Sequence, residues 1–541
     1  MPVLRRHTLS KRLVQYSMKK RTHSQTASPV TNTVYATASI VTALSVAERG
    51  LGFLYRIVLS RLIGAEGLGL YQVALSLFAV FLTIGTGGIP ITVSRLISKS
   101  KAENDPKGER GAVSAGILLS LLLTVPVVLV LLPFADKFTF LFSDERCAPV
   151  FRILLIGLCF SAVYAVFRGS FWGNKSFLFP SVIEIAEETV MVIAGVLLLQ
   201  NVSDSLTGAK LAAWAVVISY LFSFTLSTVG YFVCGGRLSS PERALKPLFT
   251  ATLPITSVRA SGSLVNSAVA VLLPAMLVRA GYQSADALEL FGVVSGMAMP
   301  VLFIPATIIG SLSLVLVPEL SEDFYRKNEA RLYKNLERGI RVAFLVACVL
   351  LPFFYALGNR LGALAFSNLL AGEIISKGCV ILLPMSLTMI TTGMLNSMGF
   401  ERQTFLYYFI GAAAMLLCIL LLPSVCGVYA YVIGLGVSYV LTSLCNLLLL
   451  KKKCGGLFKK HGKGLLFTAT RGVIAVLPLS LIGKLFSALF ARVFGATLTA
   501  IATAVALALC TVLLYFLLGL FSKNELKEAF SLGKRKKAAN R

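Results

Sequence analysis

Two arginines and a glutamate inside one apolar segment are the first residues of this chain that could do chemistry. The segment reads Glu48-Arg49-Gly50-Leu51-Gly52-Phe53-Leu54-Tyr55-Arg56. A charged side chain at the centre of a membrane helix costs about 2.5–3.5 kcal/mol on insertion scales, so a partner, water or a ligand must offset it. Arg49 and Arg56 share one helical face and lie about 10 Å apart along the axis, with Gly52 between them leaving room. Such a face suits water, carboxylates or an anionic ligand. An arginine near a helix end can instead reach the interface. That reading fits Arg61 and in part Arg56, whereas Arg49 falls near the middle.

A second group is acidic. Glu184, Glu187 and Glu188 recur at spacings of three and four, which places them on one face of a helix. Glu188 falls roughly 14 Å from the start of its segment, a depth comparable to that of Arg49, so a Glu188–Arg49 pair is expected. Such a pair could simply staple two helices. Any of these carboxylates, or Glu48, left without a partner could carry a proton or a cation. Arg259 and Asn266 repeat the seven-residue spacing later in the chain and would add to the same polar interior. Gly87, Gly88 and Pro90 interrupt a further apolar segment, and Pro254, Pro274, Pro300, Pro305 and Pro384 interrupt later ones. Broken helices expose backbone groups and supply bending points, although Pro and Gly are also ordinary in membrane helices.

The elements that must position these groups are membrane helices. The chain has 541 residues, of which 56% are hydrophobic and 14% charged, against roughly 25% charged in soluble proteins. Apolar runs of about 20 residues recur with short polar breaks and without the alternation of barrel strands. About fourteen transmembrane helices are expected, in an all-α polytopic fold. The net charge of +27 reads as a topology signal rather than a nucleic-acid footprint, because the basic residues gather in Arg95–Arg110, Arg237–Lys246, Arg326–Arg341, Lys451–Lys463 and the two tails. These segments fall on one side of the membrane, so both termini are expected to be cytoplasmic in a bacterial inner membrane.

Ten scattered Cys without a CxxC pair and three His confined to a tail or a loop point to neither disulfides nor a metal site. No phosphate loop couples the chain to ATP. The first 35 residues are basic and lack a cleavable signal pattern. Two similarities, Leu70-Tyr71 with Leu290-Phe291 and the turn Gly173–Phe177 with Gly399–Phe405, share offsets near 220–228 and point to two six-helix halves. The expected organisation is a basic disordered extension over 1–35 and lobes over 36–236 and 237–450. A basic loop over 451–463, two additional helices over 464–520 and a basic tail over 521–541 complete it.

Several motifs resemble one family. Arg61-Leu62-Ile63-Gly64-Ala65-Glu66-Gly67-Leu68-Gly69-Leu70-Tyr71, Gly87-Gly88-Ile89-Pro90 with Ser94-Arg95, Arg168-Gly169 followed by Gly173, Gly292–Ala298 and Leu316-Val317-Pro318-Glu319-Leu320-Ser321 are similar to the stage V sporulation protein B group of the polysaccharide transport family. The similarity covers roughly residues 35–450. That group shares a superfamily with lipid II flippases, O-antigen flippases and multidrug-and-toxin extruders. The resemblance implies two six-helix lobes around a central cavity, alternating access and a lipid-linked sugar as cargo. It also implies that Arg49 matches a cavity arginine of the first helix. The second such arginine falls at Tyr55, with Arg56 adjacent. Glu188 matches a glutamate of the fifth helix, while the arginine usual a few residues later is Val192. The second span lacks the acidic residue and arginine of lipid II flippases, and the eighth lacks an arginine, which favours the sporulation branch. In lipid II flippases the two extra C-terminal helices form an apolar groove for the lipid tail.

The expected function is therefore a non-enzymatic flippase for an undecaprenyl-pyrophosphate-linked precursor, serving peptidoglycan or spore cortex synthesis. Arginine suits the pyrophosphate by charge and bidentate geometry. A cation-coupled multidrug exporter and a non-transporting sporulation scaffold are the alternatives. No cofactor, metal or nucleic-acid partner is expected. Coupling to a cation gradient or to the membrane potential, contact with anionic lipids and a monomeric state are.

Overall fold

The computed structural model describes residues 30–134, 142, 144–202 and 204–520, and every regular element among them is a helix. The chain opens with α1 (Val30–Thr86), which Gly64 divides into two spans. Gly64 holds φ 70° and ψ −178°, a combination essentially open to glycine alone. After the break at Gly87–Gly88 come α2 (Ile89–Ala102), α3 (Pro106–Phe134), α4 (Cys147–Gly173), α5 (Leu178–Leu199) and α6 (Ser205–Val233). The second half begins with α7 (Glu242–Arg279) and α8 (Ser284–Phe291). A π-helical turn, Gly292–Ala298, leads into α9 (Met299–Leu302) and α10 (Ile304–Tyr325). Then follow α11 (Glu329–Phe366), α12 (Leu369–Gly378), α13 (Leu382–Ser397), α14 (Glu401–Leu421), α15 (Pro423–Cys426) and α16 (Tyr429–Lys453). The last two are α17 (Gly455–Phe490) and α18 (Ala496–Leu517).

Twelve helical segments among the described residues are long and apolar enough to cross a membrane. The first of them, Ile40–Ala102, contains both spans that meet at Gly64. α5 carries three glutamates, too many for a lipid-facing span, yet it links α4 to α6 and packs against α1 and α6. The expected count of about fourteen follows.

Three elements differ from expectation. Pro254 does not break its helix, since α7 continues through Pro247, Pro254 and Pro274. Membrane helices tolerate proline in their interior, and α7 runs through all three. The basic stretch 451–463 is not a loop: α16 ends at Lys453 and α17 starts at Gly455. Lys451, Lys452 and Lys453 fill the last turn of α16, where cations offset the helix dipole. Helix also begins at Val30, within the extension expected over 1–35; residues 1–29 and the tail over 521–541 lie outside the described residues. The eighth span, by contrast, divides where prolines were noted: Pro300 and Pro305 stand in the first turns of α9 and α10.

The two halves meet at one end. A single apolar core there combines Leu68, Leu70 and Phe78 of α1 with Leu288, Phe291 and Met297 of the second half. At the opposite, basic end the cores are separate. One gathers Ile89, Val93, Ile97 and Phe167 with Leu248 of α7, and the other gathers Leu320, Leu336, Ile340 and Leu450. The junction is polar as well as apolar. Arg146 bonds Glu66 at 2.7 Å and Asp144 at 3.0 Å, and Ser284 donates to Asp144 at 2.8 Å. Arg61 donates to the carbonyl of Ala365 at 2.8 Å. Gly69 and Gly292 cross backbone to backbone, leaving no space for a Cβ on either.

That crossing and the Asp144 network make the junction testable. Gly69→Ala would press a methyl onto the Leu288 carbonyl and is expected to cost about 1–3 kcal/mol, lowering the midpoint of thermal unfolding in detergent. Gly50→Ala, which meets nothing within 4 Å, should not. Burial pushes the Asp144 carboxyl up, but hydrogen bonds from Arg146 and Ser284 outweigh it and hold the carboxyl below its ordinary range. Its contribution to stability is complete above the unfolded value and fades as pH falls through the folded one. Asp144→Asn should thus remove part of the stability lost below about pH 4, as read from denaturation midpoints across pH.

Candidate functional site

The charged residues of the first half converge on one cavity of about 200 Å³. α1 supplies Glu48 from its first span and Leu82 and Thr86 from its second, α4 supplies Tyr164 and Arg168, α5 its three glutamates, and α6 Tyr220. The local reason is helical periodicity: Glu184, Glu187 and Glu188 face α1 because the rest of α5 is apolar and its outer face, with Val182, Ile193 and Leu197, is exposed. Gly52 makes room for Glu188, whose Oε1 would lie 2.7 Å from a Cβ placed there.

Arg168 is the best-held cation of the site. Its Nη1 bonds Glu184 Oε1 at 3.0 Å, and its guanidinium lies 5.7 Å from the Tyr164 ring and 5.2 Å from the Trp172 ring. Tyr164, Arg168 and Trp172 follow one another at four-residue spacing, so consecutive turns of α4 hold the guanidinium between two aromatic faces. Its Nε is buried without a hydrogen-bond partner. The same is true of the Tyr164 hydroxyl and of Glu187 Oε2.

The sequence-derived residues are only partly brought together. Glu48, Glu184, Glu187 and Glu188 share the cavity. Arg56 lies within electrostatic reach of Glu188 and Tyr71. Tyr55 is buried, with its ring against Gly195 of α5. The expected Glu188–Arg49 pair does not form. Arg49 is exposed on α1, where its influence reaches Glu48, and Glu188 turns to the side of Gly52 and Arg56. Arg49 and Arg56 share a face of α1, but Glu188 sits beside Gly52 and within reach of Arg56, further along the axis, and Arg49 acts on Glu48 instead. Arg259 and Asn266 are exposed on α7 and do not line the cavity.

The glycine break lies at the cavity's edge. Thr86 lines the cavity and Gly87 and Gly88 follow it, with the Gly88 N–H donating to Thr256 Oγ1 of α7 at 3.0 Å. Pro90 is buried against Gly169 of α4. Pro254 lies two residues before Thr256 on α7, and Pro300 follows the π-helical turn, well away from the cavity in sequence. Arg168 was absent from the residues singled out for chemistry. Its signal was the aromatic pair at four-residue spacing on either side.

Comparison with known proteins agrees with this architecture. Residues 34–324 match the sequence profile described as polysaccharide biosynthesis protein. The chain belongs to that family. Over 339 residues it is 25% identical to stage V sporulation protein B of Bacillus subtilis (strain 168), covering 60% of this chain and 64% of that one. Over 328 residues it is 22% identical to lipid II flippase MurJ of the same organism, covering 55% and 60%. The chain thus spans somewhat under two thirds of the length of each. Among solved structures it superposes on lipid II flippase MurJ in an inward closed conformation with TM-score 0.67 at 13% identity, covering 89% of this chain and 98% of that one. It also superposes on an inward-facing multidrug resistance MATE family transporter of the MOP superfamily with TM-score 0.63 at 15% identity, covering 76% and 96%. At these identities the superpositions establish the fold alone: an all-helical, MurJ- and MATE-like bundle in a multi-pass membrane protein.

The Arg168–Glu184 contact is partly exposed, with 26% and 21% of the two side chains accessible. Removing one partner strands the other in a low-dielectric cavity. Arg168→Ala and Glu184→Gln are each expected to cost about 1–3 kcal/mol. In a double-mutant cycle on thermal stability the double variant should cost clearly less than the sum of the singles. Strict additivity would show that the pair does not couple.

Proposed function

We propose that this chain is a flippase that carries an undecaprenyl-pyrophosphate-linked cell-wall precursor, lipid II or a related oligosaccharide, across the membrane by alternating access. The observation that carries the reading is the split bundle. Its halves are tied by Gly69–Gly292 and the Arg146 network at one end; at the other the two lobes have their own cores, with α7 crossing to pack on the first. With the basic segments on the cytoplasmic side, a bundle tied at the opposite end is proposed to open toward the side on which such precursors are made. The family membership and the resemblance to two named relatives, one a lipid II flippase, support the cargo class.

The exposed Arg49 and Arg259, with Arg56 deeper in α1, are the proposed partners of the pyrophosphate, a dianionic group that guanidinium binds by paired hydrogen bonds. Tyr55, being buried, supports α1 rather than touching cargo. An apolar groove of about 280 Å³ between α11, α13, α16 and α17, lined by Ile340, Phe344, Leu387, Leu447 and Leu465, suits an isoprenoid tail. The chain is proposed to act as a monomer, anchored by its basic segments to anionic lipid. Transport is proposed to be driven through the glutamate cluster by a cation gradient or by the membrane potential.

One observation favours a second reading, a cation-coupled exporter. The cavity is lined by four carboxylates and a single arginine, a setting that attracts cations. Rescue of growth in a bacterium depleted of its own lipid II flippase separates the two. The native chain is expected to restore colony formation and Arg49→Ala to lower it at least tenfold at equal expression. No rescue by the native chain, together with efflux of a cationic dye, would support the exporter instead.

A further inference from the structure

The charges around the cavity do not balance. Glu48, Glu184, Glu187 and Glu188 line it, and the arginines within electrostatic reach are Arg168 in its wall and Arg49 and Arg56 on α1. Arg168 is engaged by Glu184, Arg56 acts on Glu188 and Arg49 on Glu48. Glu187 forms no ion pair among the described residues, and its Oε2 is buried without a hydrogen-bond partner. A second, independent acceptor faces the same space. Tyr164 is 6% exposed, lines the cavity, and keeps its hydroxyl without a partner.

An anion would meet net repulsion here, and a neutral hydroxyl would leave the extra carboxylate uncompensated. A primary ammonium offers three donors, no acceptor and one positive charge. It can bond a carboxylate and a hydroxyl together, while the Tyr220 ring in the cavity wall adds an aromatic face. Volume limits what enters. Pockets for drug-sized ligands span about 300–1,000 Å³, so a cavity of about 200 Å³ admits an alkylammonium branch but not a disaccharide.

We infer that the cavity receives a primary ammonium group carried on the headgroup of the lipid-linked cargo, with Glu187 as its counter-ion and the Tyr164 hydroxyl as its neutral acceptor. The inference rests on the flippase reading and narrows it to glycans or glycopeptides that bear a free amine. The pyrophosphate then stays outside the cavity, at the exposed arginines, so cargo is gripped by opposite charges at two points.

The test is equilibrium binding to the full chain in lipid nanodiscs. The probes are an undecaprenyl-pyrophosphate-linked glycopeptide with a free lysyl amine and the same lipid with that amine acetylated. The free amine is expected to bind at least tenfold more tightly. The gap should narrow to about twofold in Glu187→Gln and to about threefold in Tyr164→Phe, each verified as folded by its thermal midpoint. Equal affinities for the two lipids in the native chain would overturn the inference while leaving the flippase reading in place. A gap that persists in both folded variants would do the same. A preference that disappears when sodium replaces choline at constant ionic strength would assign the site to an inorganic cation and also overturn it. Binding of neither lipid would overturn the flippase reading itself.

Discussion

Keeping several full charges inside a slab of hydrocarbon is the constraint around which this structure is arranged. Each charge in the first lobe would be costly alone, and the fold responds by gathering them. α5 turns its glutamates toward α1, Gly52 clears space for one of them, and α4 brings Arg168 between two rings to meet Glu184. The outward faces of these helices remain apolar, as lipid demands. The consequence is asymmetry. The first lobe has a polar interior, whereas the measured groove of the second is almost wholly apolar. The proposed cargo, with a charged head and a greasy tail, would meet both characters in one molecule.

The same chain stretch serves two ends of the bundle. α1 carries Glu48 near the cavity, then Gly64, Glu66 and Gly69 at the junction, then Thr86 and the Gly87–Gly88 break back at the cavity. A displacement of α1 is therefore felt both at the charged interior and at the contact that ties the lobes. α7 adds a second link: Thr256 binds the Gly88 backbone and Leu248 joins the core of the first lobe. Two-state elements with contacts to both places are what coupling between a site and a gate requires.

How much of this was legible depended on whether the signal was local. Helix-length apolar runs, the stripe of Glu184, Glu187 and Glu188 and the interruption at Gly87–Gly88 are patterns within one helix, and the structure reproduces them. The register of α1 against α5 is not local. Depth matched Glu188 to Arg49, but the packing of the two helices sets Glu188 beside Gly52 and within reach of Arg56 on the same face of α1. Arg168 was read only as part of a motif, not as a site residue, because its partner sits on the next helix and its aromatic neighbours are ordinary in membrane segments. Pro254 misled because proline breaks a helix only where freed carbonyls find no other donor. At 451–463 charge read as a loop, yet lysines closing a helix are as charged as lysines in a turn.

The glycine crossing of Gly69 and Gly292 carries a mechanical meaning beyond its tightness. Two lobes tied tightly at one face of a bilayer, with α7 the further link described above, can act as a lever whose arm is the membrane itself. With hydrocarbon about 30 Å thick, a rock of about ten degrees about the crossing moves the opposite ends apart by about 5 Å. In the proposed rocking the travel would be smallest at the crossing and largest at the opposite end. A contact made by two residues without side chains has no rotamer to rearrange as it pivots. The smallest residues in the chain would thus set the gearing of the proposed movement.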